Sequence, residues 1–387
     1  MSAATNRAQP EAIGGTRPGL SRLLRPVGFD AIDGWHDDDH AAALSCFRVT
    51  ARRMVEKLYT TRALGIDAAD LLRVARLALS QGKKSQGAAE YARTFFESHF
   101  IPCRIDPGSD KSPGKSGFVT GYFEPELPAS PVRTSRFTYP LYRRPPDLVD
   151  IDDSNRPAGM DPTFRFARKT PEGLVEYFDR GSIEAGALAG KGLELAWLES
   201  PIDGFFVHIQ GSARLIMPDG ALMRVAYAGK TGHPYTPIGR LLVEMGELER
   251  ENVTMAMIRA WLEANPARAH SLMMKNRSFI FFADTGEADP AIGPIGAASV
   301  PLTAGRSLAL DHTLHTFGTP VWIATHTPLP WESKKFRRLM THQDTGSAIT
   351  GPARGDLFIG SGAEAGTVAG AIRHAADFYV LVPRNAS

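Results

Sequence analysis

Apolar residues recur at helical spacing in three segments of the first hundred residues. The first segment begins after Trp35, where the aspartates at 37–39 offer N-cap oxygens and a favourable charge for a helix start. The second covers Ala68–Ser80 and the third covers Ala88–His99. An apolar residue at every third or fourth position gives a helix one buried face. The sequence therefore predicts a mainly helical amino-terminal part.

From Gly117 onward the pattern changes to short apolar runs separated by glycine and proline. Runs of this length, bounded by turn residues, are typical of β-strands. Single strands are expected at Phe118–Phe123, Met223–Ala228, Ser278–Phe282, Val321–Thr327 and Phe378–Val382, and a strand pair is expected at Phe205–Pro218. Helices are expected at Ile238–Gly246, Val253–Ala264 and Gly366–His374. Helices followed by many short strands predict an α+β protein that is mainly β.

Length and composition narrow the class of protein. A chain of 387 residues exceeds one average domain, so two domains are expected. Apolar residues make up 43% of the chain, which is enough for a sizeable core. The formal net charge of +2 gives no electrostatic basis for binding nucleic acid. No stretch approaches the ~20 apolar residues that a membrane span needs, and we expect a monomer without a spanning helix.

The amino-terminal segment and the cysteines indicate neither an export signal nor a disulfide framework. Residues 1–25 are rich in Ala, Gly, Pro and Arg without periodicity, which predicts a disordered tail. They lack the apolar segment of a secretory signal. Cys46 and Cys103 are too few for a disulfide scaffold and have no metal-ligand spacing. No set of His, Cys, Asp and Glu residues converges in the sequence, so we expect neither a metal nor a cofactor.

The segment from Asp344 to Gly362 combines two carboxylates with many glycines. Glycine permits unusual backbone angles and a close approach of a ligand to the backbone. Asp356 is followed directly by Leu-Phe-Ile, and a carboxyl held against an apolar wall has a raised pKa, as a general acid needs. The alternative is that Asp344 and Asp356 are turn residues bonded to their own backbone. The loop by itself leaves both interpretations open.

This segment resembles the three-aspartate domain of the membrane-bound lytic murein transglycosylase A family. The matching elements are Asp344-Thr-Gly-Ser-Ala-Ile349, Gly355-Asp-Leu-Phe358 and the turn Gly360-Ser-Gly362, and the third aspartate of the domain corresponds to Asp311. Other elements of the family match Val119–Pro125, His208–Arg214, Gly229–Gly239, Gly293–Pro301 and Phe317–Ile323. The matches extend over roughly residues 26–384, and several motifs in order are far more specific than one loop.

The resemblance implies a fold and a division of the chain. The family fold is a double-psi β-barrel built from both ends of the chain, with a second β-rich domain inserted in it. The expected division is a tail at 1–25, helices and the first part of the barrel at 26–120, the inserted domain at 121–288 and the three-aspartate domain at 289–387. The resemblance further implies that sugar binds in the groove between the two domains.

The resemblance also implies a lytic transglycosylase, which cleaves the β-1,4 bond between N-acetylmuramic acid and N-acetylglucosamine in peptidoglycan. Asp356 matches the family's catalytic acid and base, and we assign supporting roles to Asp344 and Asp311. Ordinary glycosidases use two carboxylates. Here the 6-hydroxyl of muramic acid replaces water and closes onto the anomeric carbon, which gives a 1,6-anhydro end. The expected partner is the glycan strand, and the expected location is the periplasm or the outer membrane.

Four further residues are candidates for binding the glycan. Gln210 and Ser212, in the Ile-Gln-Gly-Ser element, can hydrogen-bond sugar hydroxyls or acetamido groups, and the alternative is a strand turn with satisfied polar groups. Thr120 and Tyr122, in the Thr-Gly-Tyr element, lie at the expected domain junction. A tyrosine ring there can pack on a sugar ring, and a core tyrosine is the alternative. The sequence leaves the alternatives open for both pairs.

Two other functions remain compatible with the sequence. One is a hydrolase on the same barrel, which would need a second carboxylate facing Asp356 to activate water. The other is a non-catalytic peptidoglycan-binding protein that keeps the groove. The chemistry of the product separates the hydrolase from the transglycosylase, and activity itself separates the binding protein from both.

Overall fold

The structure, a computed structural model, describes residues 19–80, 88–107, 116–250, 253–287, 289, 292–329 and 334–385. Its helices are α1 His40–Glu56, α2 Ala68–Ser80, α3 Ala88–His99, α4 Arg180–Ser182, α5 Pro201–Gln210, α6 Ile238–Glu244, α7 Met255–Ala264, α8 Pro266–Met274 and α9 Gly362–Gly370. Its strands are β1 Leu24–Pro26, β2 Phe100–Ile105, β3 Gly117–Glu124, β4 Glu126–Ser130, β5 Tyr139–Tyr142, β6 Leu148–Asp150, β7 Phe166–Thr170, β8 Gly173–Val175, β9 Glu194–Leu198, β10 Ser212–Ile216, β11 Leu222–Lys230, β12 Ile280–Glu287, β13 Ser307–Leu310, β14 Pro320–Pro328, β15 Lys335–Asp344, β16 Arg354–Ser361 and β17 Arg373–Pro383. The fold is mixed α/β and mostly sheet, with helices first, as the sequence predicts. Within this described part of the chain, no helix is both long and apolar enough to cross a bilayer.

Strands from both ends of the chain share one sheet. Its order is β1, β2, β17, β14, β15, β13, β16 and β3, and β17 also pairs with β3. This last pairing closes the strands from β17 to β3 into a ring, and β2 and β1 extend the sheet from β17. The pairing of β16 with β3 is parallel and sets Asp356 opposite Thr120. The ring therefore brings the Thr-Gly-Tyr element next to the Gly-Asp-Leu-Phe element of the same chain.

The three amino-terminal helices pack against this ring. The bounds of α2 and α3 agree with the predicted ones, and α1 begins after the predicted aspartates. The Asp39 carboxylate accepts a hydrogen bond from the N–H of Ala42 at 3.0 Å and caps α1. Phe47 of α1 and Trp322 of β14 are fully buried in the same core. The apolar face that the sequence pattern predicts is therefore the face that covers the ring.

Strand β1 corrects the predicted end of the tail. Residues 1–18, which hold most of that prediction, lie outside the described residues. Leu24 is buried and pairs with Ile105 in the antiparallel ladder between β1 and β2. The prediction of a disordered tail through Arg25 is therefore wrong for its last residues. A strand of three residues is too short to show an alternating pattern in the sequence.

The middle of the chain forms a second sheet. Its order is β12, β11, β10, β4, β9 and β5, and a bridge between Arg143 and Phe282 links the end of β5 back to β12. The inward side chains of Leu141, Leu215 and Val225 are completely buried in the core of this sheet. Strands β6, β7 and β8 form a separate small antiparallel sheet. The predicted strand at 223–228 is confirmed as the central part of β11.

The predicted strand pair at Phe205–Pro218 is wrong in its first half, because helix α5 occupies it and only β10 is a strand. Ser200 caps α5 by accepting a hydrogen bond from the N–H of Ile202, and Pro201 fills the first turn. Gly211 ends the helix with a φ of 80°, a left-handed conformation that favours glycine. These capping residues decide the structure of an apolar run that has a strand-like composition.

The predicted helix at Gly366–His374 is shifted along the chain. Helix α9 ends at Gly370, and β17 begins at Arg373. Arg373 and His374, the last residues of the predicted helix, lie at the start of β17, where they pair with Thr120 and Val119 of β3. Pairing within the ring therefore outweighs the local helix propensity of this segment.

A buried ion cluster joins the two sheets at the end of β3. Glu124 is completely buried, and its carboxylate accepts hydrogen bonds from Arg214 Nε at 2.9 Å and Arg224 Nε at 2.7 Å. The Ser361 hydroxyl at the end of β16 also donates to it at 2.8 Å. The two arginines belong to β10 and β11, so a single carboxylate of the ring holds two strands of the second sheet.

Candidate active site

Asp356 lies on a strand of the ring and has strands on both sides. Its partner on β13 is Ala309, in an antiparallel ladder, and its partner on β3 is Thr120, in a parallel ladder. The side chain is 19% exposed, so it is mostly buried but still reaches solvent. The interpretation of Asp356 as a turn residue is therefore wrong. Regular strand pairing on both sides fixes the backbone of Asp356. A fixed backbone holds the carboxyl group in one position.

Burial and one cation determine the protonation of Asp356. Burial raises the pKa of its carboxyl above the usual range, and the positive charge of Arg354 opposes this rise without cancelling it. Arg354 Nη1 donates to Asp356 Oδ1 at 2.8 Å, and Arg354 Nη2 donates to Thr120 Oγ1 at 2.8 Å. The carboxyl group is thus able to hold a proton, while a fixed cation stands beside it to stabilise the carboxylate after the proton leaves.

Asp344 is a second buried carboxyl group in the same region. Its Oδ2 accepts a hydrogen bond from the Tyr122 hydroxyl at 2.8 Å, and its Oδ1 accepts one from the N–H of Ala297 at 3.0 Å. Burial raises the pKa of Asp344, and the negative charge of Asp356 adds to this rise. The two carboxyl groups therefore interact electrostatically, but both oxygens of Asp344 are already bonded to protein groups.

The Thr-Gly-Tyr element of β3 brings two predicted residues to these carboxyl groups. Alternation along a strand points Thr120 and Tyr122 to one face and Gly121 to the other. A Cβ atom on Gly121 would lie 2.8 Å from the carbonyl oxygen of Ala369 in α9, so the close approach of this helix requires glycine. Thr120 bonds to Arg354 and Tyr122 bonds to Asp344, so β3 connects the two acidic residues through their hydrogen-bond partners.

Asp311 organises the neighbouring loops. Its Oδ1 accepts hydrogen bonds from the N–H and the hydroxyl of Thr313 at 3.0 and 2.6 Å, and its Oδ2 accepts one from the N–H of Gly351 at 2.9 Å. Burial tends to raise the pKa of Asp311, but these hydrogen bonds outweigh it and the pKa is lowered. Asp311 therefore stays ionised and ties the turn after β13 to the glycine-rich segment before β16.

The contacts of Gln210 and Ser212 are with residues other than Asp344 and Asp356. The Gln210 side-chain carbonyl accepts a hydrogen bond from the N–H of Phe123 at 3.1 Å, and its amide nitrogen lies 3.4 Å from Met255 Sδ. Ser212 is buried at the start of β10, where it pairs with Ala226. The structure thus gathers Asp356, Asp344, Thr120 and Tyr122 into one site, while Gln210 fastens α5 to β3.

Two residues of the site were missed in the sequence analysis. Arg354 lies two residues before Asp356 on the same strand, and this spacing places both side chains on one face. Tyr235 lies in the Gly229–Gly239 element between β11 and α6. Burial raises the pKa of Tyr235 to about 12, and the charge of Asp356 contributes to this rise. Tyr235, which belongs to the part of the chain that carries the second sheet, therefore interacts electrostatically with the carboxyl group of Asp356.

No group of three or more His, Cys, Asp or Glu side chains is arranged to hold a metal ion among the residues that the structure describes. Both cysteines, Cys46 and Cys103, are buried and unbonded to each other. The polar groups of the site are therefore carboxyl, guanidinium, hydroxyl and phenol groups, a set suited to proton transfer and to hydrogen bonding of sugars.

Family models match most of the segments that form the two sheets. The MltA specific insert domain matches residues 118–283, and the 3D domain matches residues 306–382. The first match holds Thr120, Tyr122 and Tyr235, and the second holds Asp344 and Asp356. The acidic residues of the site thus lie in one matched region, and the residues of β3 and Tyr235 lie in the other.

Individual relatives agree with these matches. Membrane-bound lytic murein transglycosylase A of Escherichia coli K12 is 34% identical over 270 residues, which are 68% of this chain and 64% of that protein. The match thus spans just under two thirds of the length of this relative. The crystal structure of a membrane-bound lytic murein transglycosylase from Agrobacterium tumefaciens has a TM-score of 0.86 and 46% identity, and the likeness covers 93% of this chain and 98% of that chain. The crystal structure of E. coli MltA with bound chitohexaose has a TM-score of 0.67 and 27% identity, over 99% of this chain and 100% of that chain. The chain therefore belongs to the membrane-bound lytic murein transglycosylase A family.

Proposed function

We propose that this protein is a lytic transglycosylase that cleaves the β-1,4 bond between N-acetylmuramic acid and N-acetylglucosamine in peptidoglycan and leaves 1,6-anhydromuramic acid ends. The observation that carries the proposal is the mostly buried carboxyl group of Asp356, whose pKa is raised by burial and which two neighbouring strands hold in place. Membership of the family and the chitohexaose bound by the E. coli relative support a β-1,4-linked glycan as the ligand.

We infer that the ring of strands is the double-psi β-barrel of this family. The supporting facts are that β3 pairs in parallel with β16, and that strands before and after the second sheet share one ring. The inferred division has the first part of the barrel at 26–120, the insert at 121–288 and the three-aspartate domain at 289–387. One bound of this division changes: because β3 continues in the ring to Glu124, we propose that the insert begins after Glu124 and not at residue 121. The glycan would bind between the two domains, a common location for ligands.

Asp356 acts as the acid in the first step. Its protonated carboxyl group donates to the glycosidic oxygen, the bond to the anomeric carbon of muramic acid breaks, and N-acetylglucosamine leaves with the proton. The raised pKa supports this role because a general acid needs to hold its proton near the working pH. The sugar that remains develops positive charge at the anomeric carbon, which the new carboxylate faces.

Asp356 acts as the base in the second step. Its carboxylate takes the proton from the 6-hydroxyl of the same muramic acid, and that oxygen forms a bond to the anomeric carbon. The hydroxyl belongs to the substrate and gains a high effective concentration, so no protein nucleophile is required. Arg354, at 2.8 Å from Asp356, is a positioning residue that stabilises the carboxylate between the two steps. Asp344 and Asp311 support the site by holding Tyr122 and the Gly351 loop.

We propose Thr120, Tyr122, Gln210 and Ser212 as residues that line or support the sugar-binding surface. Thr120 and Tyr122 have the stronger support because their hydroxyl groups bond to Arg354 and Asp344. Gln210 supports the surface through the backbone of Phe123. The protein is proposed to act as a monomer in the periplasm or at the outer membrane, because its proposed substrate lies outside the cytoplasm.

A hydrolase is the second candidate function, and Asp344 is the observation that favours it. Its carboxyl group is close enough to Asp356 for the charge of one to affect the pKa of the other. A base that activates water needs a lone pair directed at that water, however, and one lone pair on each Asp344 oxygen already accepts a hydrogen bond, from Tyr122 or from Ala297. This occupancy supports the transglycosylase over the hydrolase.

Digestion of sacculi in H₂¹⁸O is expected to give anhydro ends without ¹⁸O. The 6-hydroxyl of the substrate forms the new bond to the anomeric carbon, so no oxygen from the solvent enters the product, and each new end lacks one water relative to a hydrolysed end. Mass spectrometry of the fragments measures both quantities. A hydrolytic muramidase in the same solvent serves as the positive control. Reducing muramic acid ends that carry ¹⁸O would show hydrolysis and contradict the transglycosylase.

Arg354→Gln is expected to lower kcat by roughly 10–100-fold, the loss of a charge-assisted hydrogen bond, and to change the pH profile. Arg354 lowers the pKa of Asp356, so its removal raises that pKa further. The acid form of Asp356 then persists to higher pH, and the alkaline limb of kcat/KM moves upward. Arg354→Lys should restore part of the profile because it keeps the charge. An unchanged alkaline limb in Arg354→Gln would show that Arg354 does not affect the pKa of Asp356.

A further inference from the structure

Basic side chains contact the loop that follows Asp344 from two sides. Lys230, the last residue of β11, donates from Nζ to the Ser347 hydroxyl at 3.0 Å. His312, in the turn after β13, has its Nδ1 atom 3.2 Å from the Thr345 hydroxyl. One of these residues comes from the second sheet and the other from the ring. The loop that follows Asp344 is therefore contacted by one basic residue of the second sheet and by one of the ring.

Two arginines complete this group, which we call the basic cluster: Arg62, Arg165, Lys230 and His312. Burial lowers the pKa of His312, and the positive charges of Arg62, Lys230 and Arg165 lower it further. A charge affects a partly exposed group in this way only from a short distance, because water and salt screen it. Arg62 lies between α1 and α2, and Arg165 lies just before β7. The N–H of Arg62 donates to Thr316 Oγ1 at 3.1 Å, which places Arg62 beside the segment that follows β13. Three separate segments of the chain therefore bring a permanent positive charge to one place, and His312, whose pKa is lowered, adds an imidazole that is neutral at neutral pH.

Carboxylates within the protein neutralise the basic cluster only in part. Among the described residues, no ion pair within 4.0 Å joins Arg62, Arg165 or Lys230 to an acidic side chain, and burial lowers the pKa of the Lys230 ammonium group. Asp311 stays ionised and interacts with His312, so its carboxylate offsets part of this charge, and its two oxygens accept hydrogen bonds from Thr313 and Gly351. Asp153, which Arg165 influences, is exposed and paired with Arg156.

The excess charge is local. The whole chain has a formal net charge of only +2, so three permanent cations beside the site are not a consequence of general composition. The cluster also adjoins the proposed catalytic groups directly, because Thr345 follows Asp344, whose carboxyl group interacts with that of Asp356. The substituents of a glycan bound at Asp356 would therefore lie near the basic cluster.

We propose that the basic cluster is an anion subsite that binds carboxylates carried by the substituents of the glycan strand. This inference rests on the proposed function, since it concerns the substrate of the same site. The sugars of a peptidoglycan strand are uncharged rings. The lactyl group of muramic acid, however, has a free carboxylate where no peptide stem is attached, and an attached stem, joined there by an amide bond, bears carboxylates of its own. Arginine and lysine recognise both kinds of carboxylate by charge-assisted hydrogen bonds. The subsite would favour acidic strands over neutral chitin oligomers.

The test compares three ligands bound to the Asp356→Asn protein, which keeps bound glycan intact. Chitohexaose has no carboxylate, glycan strands stripped of peptide by an amidase carry free lactyl groups, and unstripped strands carry peptide stems. Binding is measured by calorimetry with the cluster intact and with Arg62→Gln, Arg165→Gln and Lys230→Gln combined. We expect the Kd of at least one acidic ligand to rise about tenfold more than that of chitohexaose, because the three substitutions remove the cations that would pair with its carboxylates. The acidic ligand that shows this loss identifies the lactyl group or the stem as the bound group.

The matched control removes three exposed cations elsewhere: Arg25, Arg136 and Arg240, whose side chains are 73%, 67% and 64% exposed. It changes the net charge by the same amount and is expected to alter the preference for acidic ligands by less than about twofold. Equal effects of the two triple variants, or equal losses for all three ligands in the cluster variant, would overturn the anion subsite alone. Failure of the intact cluster protein to bind any of the three ligands would overturn both the subsite and the proposed function.

Discussion

Asp356→Asn is expected to lower the rate of sacculus digestion by on the order of 10²–10⁴-fold for each proton transfer that it removes. The asparagine keeps the size of the side chain and can still accept a hydrogen bond from Arg354, so glycan binding should persist. It cannot protonate the glycosidic oxygen, and it cannot take the proton of the 6-hydroxyl. The release of soluble fragments from sacculi measures the rate, and a pull-down with insoluble sacculi measures binding.

The thermal stability of Asp356→Asn shows whether this variant is folded. Burial raises the pKa of Asp356, so its ionised form destabilises the folded protein at neutral pH. A group whose pKa is raised on folding contributes its full stability below the pKa of the unfolded chain and loses it as the pH rises through the folded pKa. Asp356→Asn should therefore have a higher Tm than the parent protein at pH 7, and the difference should vanish near pH 3. Near-normal digestion by this folded variant would remove Asp356 from the chemistry.

Glu124→Ala is expected to reduce the free energy of unfolding by about 3–5 kcal/mol, the usual result of removing one partner from a buried ion pair. The reason is that Arg214 and Arg224 would remain in the interior without the carboxylate that neutralises them. Both arginines belong to the second sheet, whereas Glu124 belongs to the ring. Urea unfolding followed by tryptophan fluorescence and by circular dichroism measures the loss.

A neighbouring glutamate provides a control for this prediction. Glu126 lies 3.6 Å from Arg214, but its side chain is 35% exposed, so Glu126→Ala should reduce the free energy of unfolding by about 1 kcal/mol or less. Both variants replace a glutamate by alanine, and both remove a partner of Arg214. They differ mainly in how deeply the glutamate is buried. Similar losses in the two variants would show that the burial of Glu124 is not what makes it important.

The parts of the fold that the sequence predicts are those whose causes are local. The bounds of α2 agree with the prediction because its apolar spacing, rather than a distant partner, determines them. Strand β1 could not be predicted because Leu24 is extended only through its pairing with β2. Helix α5 could have been predicted, since Ser200, Pro201 and Gly211 are ordinary capping residues around an apolar run.

In the site, too, the contacts that join distant segments of the chain could not be predicted. Asp356 and Tyr122 could be identified because their motifs resemble those of a family. The contact between Tyr122 and Asp344 could not be predicted, because it depends on the pairing of distant strands. Arg354 could have been found from its two-residue spacing to Asp356 once the segment was read as a strand and not a loop. Tyr235 could not, because its nearness to Asp356 depends on how the chain between β11 and α6 lies against the ring.

The closed ring has a consequence for the order in which the protein folds during synthesis. The bond between Thr120 and Arg354 joins residues that are 234 positions apart. At about 5–20 residues per second, β3 waits roughly 10–50 s after it is made before its partner β16 exists. During that time the chain of the second sheet is completed and can fold, while β3 remains an unpaired strand with free N–H and C=O groups. An unpaired edge of this kind is prone to aggregation, so we expect β3 to need protection until β16 and β17 have been made.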